Sequence, residues 1–340
     1  MLDEQLEEKK PRVTIRSPEP QEEFGVIWHT LLTMPFYRKH GYNVALPDHK
    51  IFEELVKLPP NIRDAKKKET YELFSQHIYR KACYEEGLSS LDDTEKKTIA
   101  VFPRFEKLKK QWGFKVFHHY DVVLTLYGPG GHFNPRTGKV VLKTTADGSF
   151  KRGDPIHTII HEMVHIGIHE NIVKRFRLTH WEKERVVDLI CSIKFGDILK
   201  NYTIQAGGER NLDTFVSHDS LSNLPAVIGA YIKRYPRELE DGKIIRRGVV
   251  DIVIVEKVHQ GTQAETIGLK EGDIIVEYDG EKITRPQHLA EVVKKKSNMD
   301  KVCLIIIRDC KVRRFALKGG PIGIKVGKKT MLKEEMVEDF

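Results

Sequence analysis

The 340-residue chain has little cysteine: Cys83, Cys191, Cys303 and Cys310 are scattered, and no two form a C-x-x-C pair. That excludes a disulfide scaffold and a thiolate zinc site, and the four read as reduced thiols. No apolar run approaches the ~20 residues needed to span a bilayer. The stretch from Met1 to Pro11 lacks a basic-then-apolar leader, so a cytoplasmic location is expected. Charge of one sign is not segregated either. Lysine and arginine total 57 against 49 acids, a net charge of +8, but the two signs interleave almost everywhere. Clusters such as Lys66-Lys67-Lys68 and Lys294-Lys295-Lys296 are short and have no base-stacking aromatics beside them, so no nucleic-acid partner is expected. With 40% hydrophobic and 31% charged residues, the length suits a soluble chain of two domains, each with its own core.

What is present is histidine, and its spacing carries chemistry. His161-Glu162-Met163-Val164-His165 is an H-E-x-x-H pentad inside the stretch Asp154 to Asn171. Asp154 is a good N-cap, and Pro155 suits the first helical position, where its missing N–H costs nothing. Ile159, Ile160, Met163, Val164 and Ile168 fall at helical spacing, which predicts a largely buried helix. On such a helix His161 and His165 project from one face and can converge on a single metal ion. Glu162 lies on the flank, where a carboxylate can take a proton from a water that the metal activates.

A catalytic zinc site needs a third protein ligand and an open position for water. His169 repeats the i+4 step, but His161, His165 and His169 together span about 12 Å of helix axis, too far to share one ion. The better candidate follows on a second amphipathic helix, His180 to Ile193, whose packing face is Val186, Val187, Leu189, Ile190 and Ile193. Glu184 and Asp188, one turn apart, lie beside that face. Two carboxylates there are costly unless paired or metal-bound. Glu184 can supply the third ligand, and Asp188 can accept the free ring N–H of a ligating histidine. The alternative is that both are solvated charges beside Lys183 and Arg185.

H-E-x-x-H followed by E-x-x-x-D on a second helix resembles the pattern of the gluzincin metallopeptidases, of which thermolysin is the familiar member. The resemblance covers roughly residues 115–200. It implies one zinc ion held by His161, His165 and Glu184, with Glu162 as general base and Asp188 behind a ligand. That family's additional proton-donating histidine or tyrosine has no clear match here. Tyr202 and His218 are the downstream candidates for stabilising the transition state.

Taken in order, residues 1–22 read as a mobile arm, charged and poor in large apolar side chains. Residues 23–112 read as a helical scaffold, with candidate helices at 24–32, 51–57, 69–86 and 93–110, the last bent or split at Pro103. Residues 113–242 form the expected metallopeptidase core. Within it residues 114–127 and 139–144 are rich in β-formers, and Asn134-Pro135-Arg136-Thr137-Gly138 supplies turn chemistry, so a hairpin is expected just before the H-E-x-x-H helix. Its edge suits main-chain pairing with an extended peptide.

From residue 243 to 327 the pattern changes to short strands. Gly268-Leu269-Lys270-Glu271-Gly272-Asp273-Ile274-Ile275-Val276-Glu277-Tyr278-Asp279-Gly280 resembles a PDZ domain, especially those of bacterial proteases. The resemblance implies a groove for a peptide chain end. The glycine-bearing loop that would meet the terminal carboxylate follows the last expected strand, near Ile322, Gly323 and Ile324, so the domain is read as circularly permuted. Residues 328–340 read as a charged tail ending in Phe340, a candidate C-terminal tail ligand for its own or a neighbour's groove.

The fold class expected is α+β: a mainly helical metallopeptidase domain with a small β-sheet, followed by a PDZ-like β-barrel. The expected function is a zinc-dependent metalloendopeptidase acting on a peptide or protein substrate. The alternative is a metal-bearing PDZ adaptor without hydrolysis.

Overall fold

Arg12–Arg16 forms a strand, β1, inside the stretch expected to be a mobile arm. The computed structural model describes residues 11–150, 153–205, 209–240, 243–245, 249–309 and 311–332. β1 pairs in parallel with β2 (His119–Thr125), with Val13 opposite Tyr120 and Ile15 opposite Val122. Five residues that begin and end in arginine give little strand signal by themselves. Their order comes from a partner more than a hundred positions away. Arg16 ties the ladder together by ion pairs to Glu22 at 2.7 Å and Asp121 at 2.8 Å.

The chain divides into two units, Met1–Glu170 with Lys194–Tyr202, and Asn171–Ile193 with Thr203–Phe340. In the first, α1 (Pro20–Lys39) and α2 (Lys50–Lys57) enclose a cluster of Phe24, Ile27, Trp28, Leu31, Phe52, Leu55 and Phe74. Short helices α3 (Pro60–Ala65), α4 (Lys67–Leu73), α5 (Glu85–Ser89) and α6 (Thr94–Ile99) follow, then α7 (Phe102–Trp112). The helix expected at 93–110 is thus split where Pro103 was expected to split it, because proline is tolerated in a first turn but not in a helix interior.

The sheet corrects the expected hairpin. Residues 114–118 lie outside β2, and the turn at Asn134–Gly138 joins β3 (His132–Asn134) to β4 (Lys139–Lys143). β4 runs parallel to β2, and the strand order is β1-β2-β4-β3. A hairpin does precede the pentad, built from β3 and β4, and β3 is its edge strand.

The pentad's helix, α8, spans Pro155–Ile168, and the Asp154 side chain caps it by accepting from the Ile156 N–H at 3.1 Å. Ile156, Ile159, Ile160, Met163, Val164, Ile166 and Ile168 are all buried. Each such side chain contributes about 1.5–3 kcal/mol. α8 packs against α6, β3 and β4, and that apolar embedding holds its polar side chains in place.

The second unit contains α9 (His180–Phe195) up to Ile193 and α10 (Leu224–Arg234), then a two-stranded ribbon of β5 (Glu238–Glu240) and β6 (Lys243–Ile245). Next come β7 (Val249–Val258), α11 (Gln263–Thr266), β8 (Ile274–Tyr278) and β9 (Glu281–Lys282). α12 (Pro286–Lys294), β10 (Lys301–Arg308), β11 (Lys311–Lys318) and β12 (Ile324–Leu332) complete it. The strand order is β11-β10-β8-β7-β12, with β9 on β8. Val253, Val255, Leu269, Tyr278, Leu289, Leu304 and Ile306 fill the core beneath.

β12 is the main departure from expectation here. Residues expected to open a charged tail at 328 instead continue a nine-residue strand along the whole of β7. Lys325, Lys328 and Lys329 hid its alternation, because the charges sit on a strand whose buried members are few. The proposed boundary at 242 and the tail end with Phe340 lie outside the described residues. Among the described residues, no helix is long and apolar enough to cross a membrane.

Candidate metal centre and peptide groove

On α8, His161 and His165 are both buried, and their Nε2 atoms lie 3.1 Å apart. Two nitrogens each 2.0–2.1 Å from one tetrahedral zinc stand about 3.3 Å apart, so this pair has the separation of two ligands on a shared ion. The Tyr202 hydroxyl reaches Nδ1 of His161 at 2.7 Å. Phe133 of β3 stacks on the His165 ring at 5.0 Å with only 8° between planes. The orientation of each imidazole is therefore fixed from outside the pair. His169 is half-buried with its ring edge-on to Phe133 at 6.2 Å, and it takes no part in the cluster described below.

Glu162 is buried on the same helix. Gly131, immediately before β3, lies against it. A Cβ at that position would fall 2.7 Å from Glu162 Oε1 and 2.6 Å from Thr158 Cγ2. Only glycine lets the backbone approach so closely, and the edge strand therefore begins right beside the carboxylate.

On α9, Glu184 and Asp188 are both buried, and so is Arg185 between them. Gln205 serves both. Its backbone N–H donates to Asp188 Oδ2 at 2.7 Å and its side-chain amide to Glu184 Oε2 at 2.9 Å. Lys183 Nζ lies 3.1 Å from the other oxygen of Glu184. A third acid of this helix, Glu182, has a different environment: Thr179, Tyr231 and Arg237 all donate to it at 2.8–2.9 Å, which makes it a structural anchor.

The ligand atoms of His161, His165 and Glu184 all lie within 4.8 Å of one another, in a buried group that could hold a metal ion. Two imidazoles and a carboxylate are a donor set that suits zinc. The side chain of His218, the other downstream candidate, is 77% exposed and lies beside Asp219. Gln205 was missed because an amide in a glycine-containing loop carries no motif.

The loop before β12 has its own geometry. The carbonyls of Pro321, Ile322 and Gly323 accept from Gln263 Nε2, Ala264 N and His259 N, at 2.9, 3.0 and 2.9 Å. In a trans peptide the N–H points opposite to the C=O. The N–H groups of Ile322, Gly323 and Ile324 are thereby each turned away from those partners. β12 runs on from this loop as the edge strand, and α12 packs beside it. Leu332 at the end of β12 pairs with Val249 at the start of β7.

Residues 227–318 match the PDZ domain family. The match starts earlier than the expected 243 and stops short of β12, which completes the PDZ sheet in the structure. Among solved structures, the PDZ domain of the SdrC-like protein from Listeria monocytogenes is 27% identical, covering 22% of this chain and 85% of that one with a TM-score of 0.20. A protein from Geobacillus thermodenitrificans is 30% identical, with 21% and 79% covered and a TM-score of 0.19. An aminopeptidase N family protein from Idiomarina loihiensis is 10% identical, with 71% and 65% covered and a TM-score of 0.28. A search of curated proteins finds no match.

Proposed function

We propose that the chain is a zinc-dependent metalloendopeptidase whose PDZ domain holds a chain end of its substrate or of a partner. The observation that carries this reading is the buried group of His161, His165 and Glu184, with Glu162 on the same helix as the two histidines. A zinc ion held there would polarise the scissile carbonyl and lower the pKa of a water. The chain's own residues do the rest. Glu162 takes a proton from the attacking water and returns it to the leaving amine. Asp188 and Gln205 hold the Glu184 side of the site, and Tyr202 holds His161. The edge of β3 offers main-chain pairing to an extended substrate that passes over Glu162. The PDZ domain, by retaining a chain end, raises the effective concentration of the segment to be cut without adding contacts at the catalytic centre.

The test is elemental analysis paired with cleavage of an unfolded protein. One zinc per chain is expected, lost in His161→Ala and Glu184→Ala. Glu162→Gln is expected to keep the zinc and to lose cleavage. A Glu162→Gln variant that cleaves as well as the parent overturns the mechanism; one metal without any cleavage by the parent favours a metal-bearing adaptor instead.

A further inference from the structure

The outer face of β7 and β12 carries a cavity of about 460 Å³ whose walls include Arg210, Glu256, Lys257, Lys325 and Lys329. Four cations thus surround one carboxylate. That carboxylate is already held, by Arg210 at 2.5 Å and Lys325 at 3.3 Å. Gly327 makes room for it, since a Cβ there would land on Glu256 Oε1. Among the described residues Lys257 and Lys329 form no ion pair. The cavity therefore keeps a surplus of positive charge in a concave wall, which concentrates anions.

Its position relative to the groove follows from strand geometry. Ile324 and Val326 pack on the PDZ core, so Lys325, Gly327 and Lys329 share the opposite face. A peptide added to the free edge of β12 would place its side chains about 4.5–5.5 Å from those of β12, Cβ to Cβ, alternating between the same two faces. One set would meet the core side and α12, and the other would meet Lys325 and Lys329. The pairing has a fixed end. At Thr330 the backbone N–H already donates to Glu209 at 3.3 Å, and the backbone C=O accepts from the Asn211 amide. An added strand can pair only from the loop as far as this block.

We propose that this face selects acidic residues at alternate positions, the second and fourth from the end, of the peptide whose chain end the groove holds. The proposal rests on the PDZ-groove reading above, and the experiment separates the two. Fluorescence anisotropy on the full chain would compare three labelled decapeptides with an apolar last residue. The first carries glutamate at the second and fourth positions from the end, the second carries lysine there, and the third is the first with an amidated terminus. Two solvent-exposed ion pairs predict roughly five-fold tighter binding of the glutamate peptide over the lysine peptide. The preference should fall with added salt and reverse in Lys325→Glu/Lys329→Glu. Equal binding of the glutamate and lysine peptides overturns this inference and leaves the groove standing. Equal binding of the free and amidated peptides, or none by any of the three, overturns the groove reading and the inference with it. Competition by inorganic phosphate as effective as by the glutamate peptide would make the cavity a general anion site and also overturn the proposal.

Discussion

The hydroxyl oxygen of Tyr202 lies 2.7 Å from Nδ1 of His161, on the side of the ring opposite Nε2. A neutral imidazole carries one ring proton, so if Nε2 is to bind a metal, Nδ1 must hold that proton and donate it to the tyrosine oxygen. In the proposed centre Tyr202 would then orient a ligand and fix its tautomer, a job different from the transition-state role that its sequence position implied. Tyr202→Phe is therefore expected to weaken zinc binding by about 10- to 100-fold, read by titration against a competing chelator. Unchanged zinc affinity with a lowered kcat would restore the transition-state role.

Gln205 donates through its side chain to Glu184 and through its backbone to Asp188. Gln205→Ala removes only the first of these. A buried carboxylate that loses a donor costs about 1.5–3 kcal/mol, so the metal-free protein should melt earlier. Excess zinc should recover much of that loss, because a bound ion replaces the missing donor. Thermal unfolding with and without zinc measures both arms. Equal destabilisation in the two conditions would mean that Gln205 supports the loop rather than the carboxylate.

Gly131 has no room for a side chain beside Glu162 and Thr158. Gly131→Ala should push the Glu162 carboxylate aside while leaving His161, His165 and Glu184 in place. Zinc content should hold. Because misplacement of a catalytic group by about 1 Å can cost about 100-fold, cleavage should drop by at least tenfold. Parallel loss of zinc would show that the substitution disturbs α8 as a whole.

His132 on β3 has its pKa pushed down to about 4, first by burial and then by His29 and Lys139. The unfolded chain takes up this proton near pH 6.5, well before the folded one does. Stability should therefore fall as the pH drops from about 6.5 toward 4, because the unfolded state binds more protons over that window. In His132→Asn that part of the acid sensitivity should vanish. Denaturant midpoints at pH 7 and pH 5 for parent and variant make the comparison, and an identical pH dependence would remove His132 from the account.

The helices of the candidate centre were legible because their signals are local. Asp154-Pro155 caps α8 where the two residues said a helix should begin. The spacing of Glu184 and Asp188 put both beside Val187 and Ile190, and their burial chose between the two readings left open there. What escaped the sequence depends on distant partners. β1 takes its order from β2, and the parallel run of β4 along β2 could not be told from a hairpin by strand propensity. In β12 three lysines covered a strand pattern whose evidence lies in β7. Gln205 belongs to the same class. Its meaning comes from the two acids it touches.

The pairing of Leu332 with Val249 has a mechanical consequence. The first residue of β7 and the last of β12 lie side by side at one end of the PDZ sheet, on neighbouring strands that run in opposite directions. A pull on those two residues would open the ladder one residue pair at a time from that end, rather than shearing all its hydrogen bonds together. The Gly320–Ile324 loop, at the other end of the same ladder, would be the last part to feel the load.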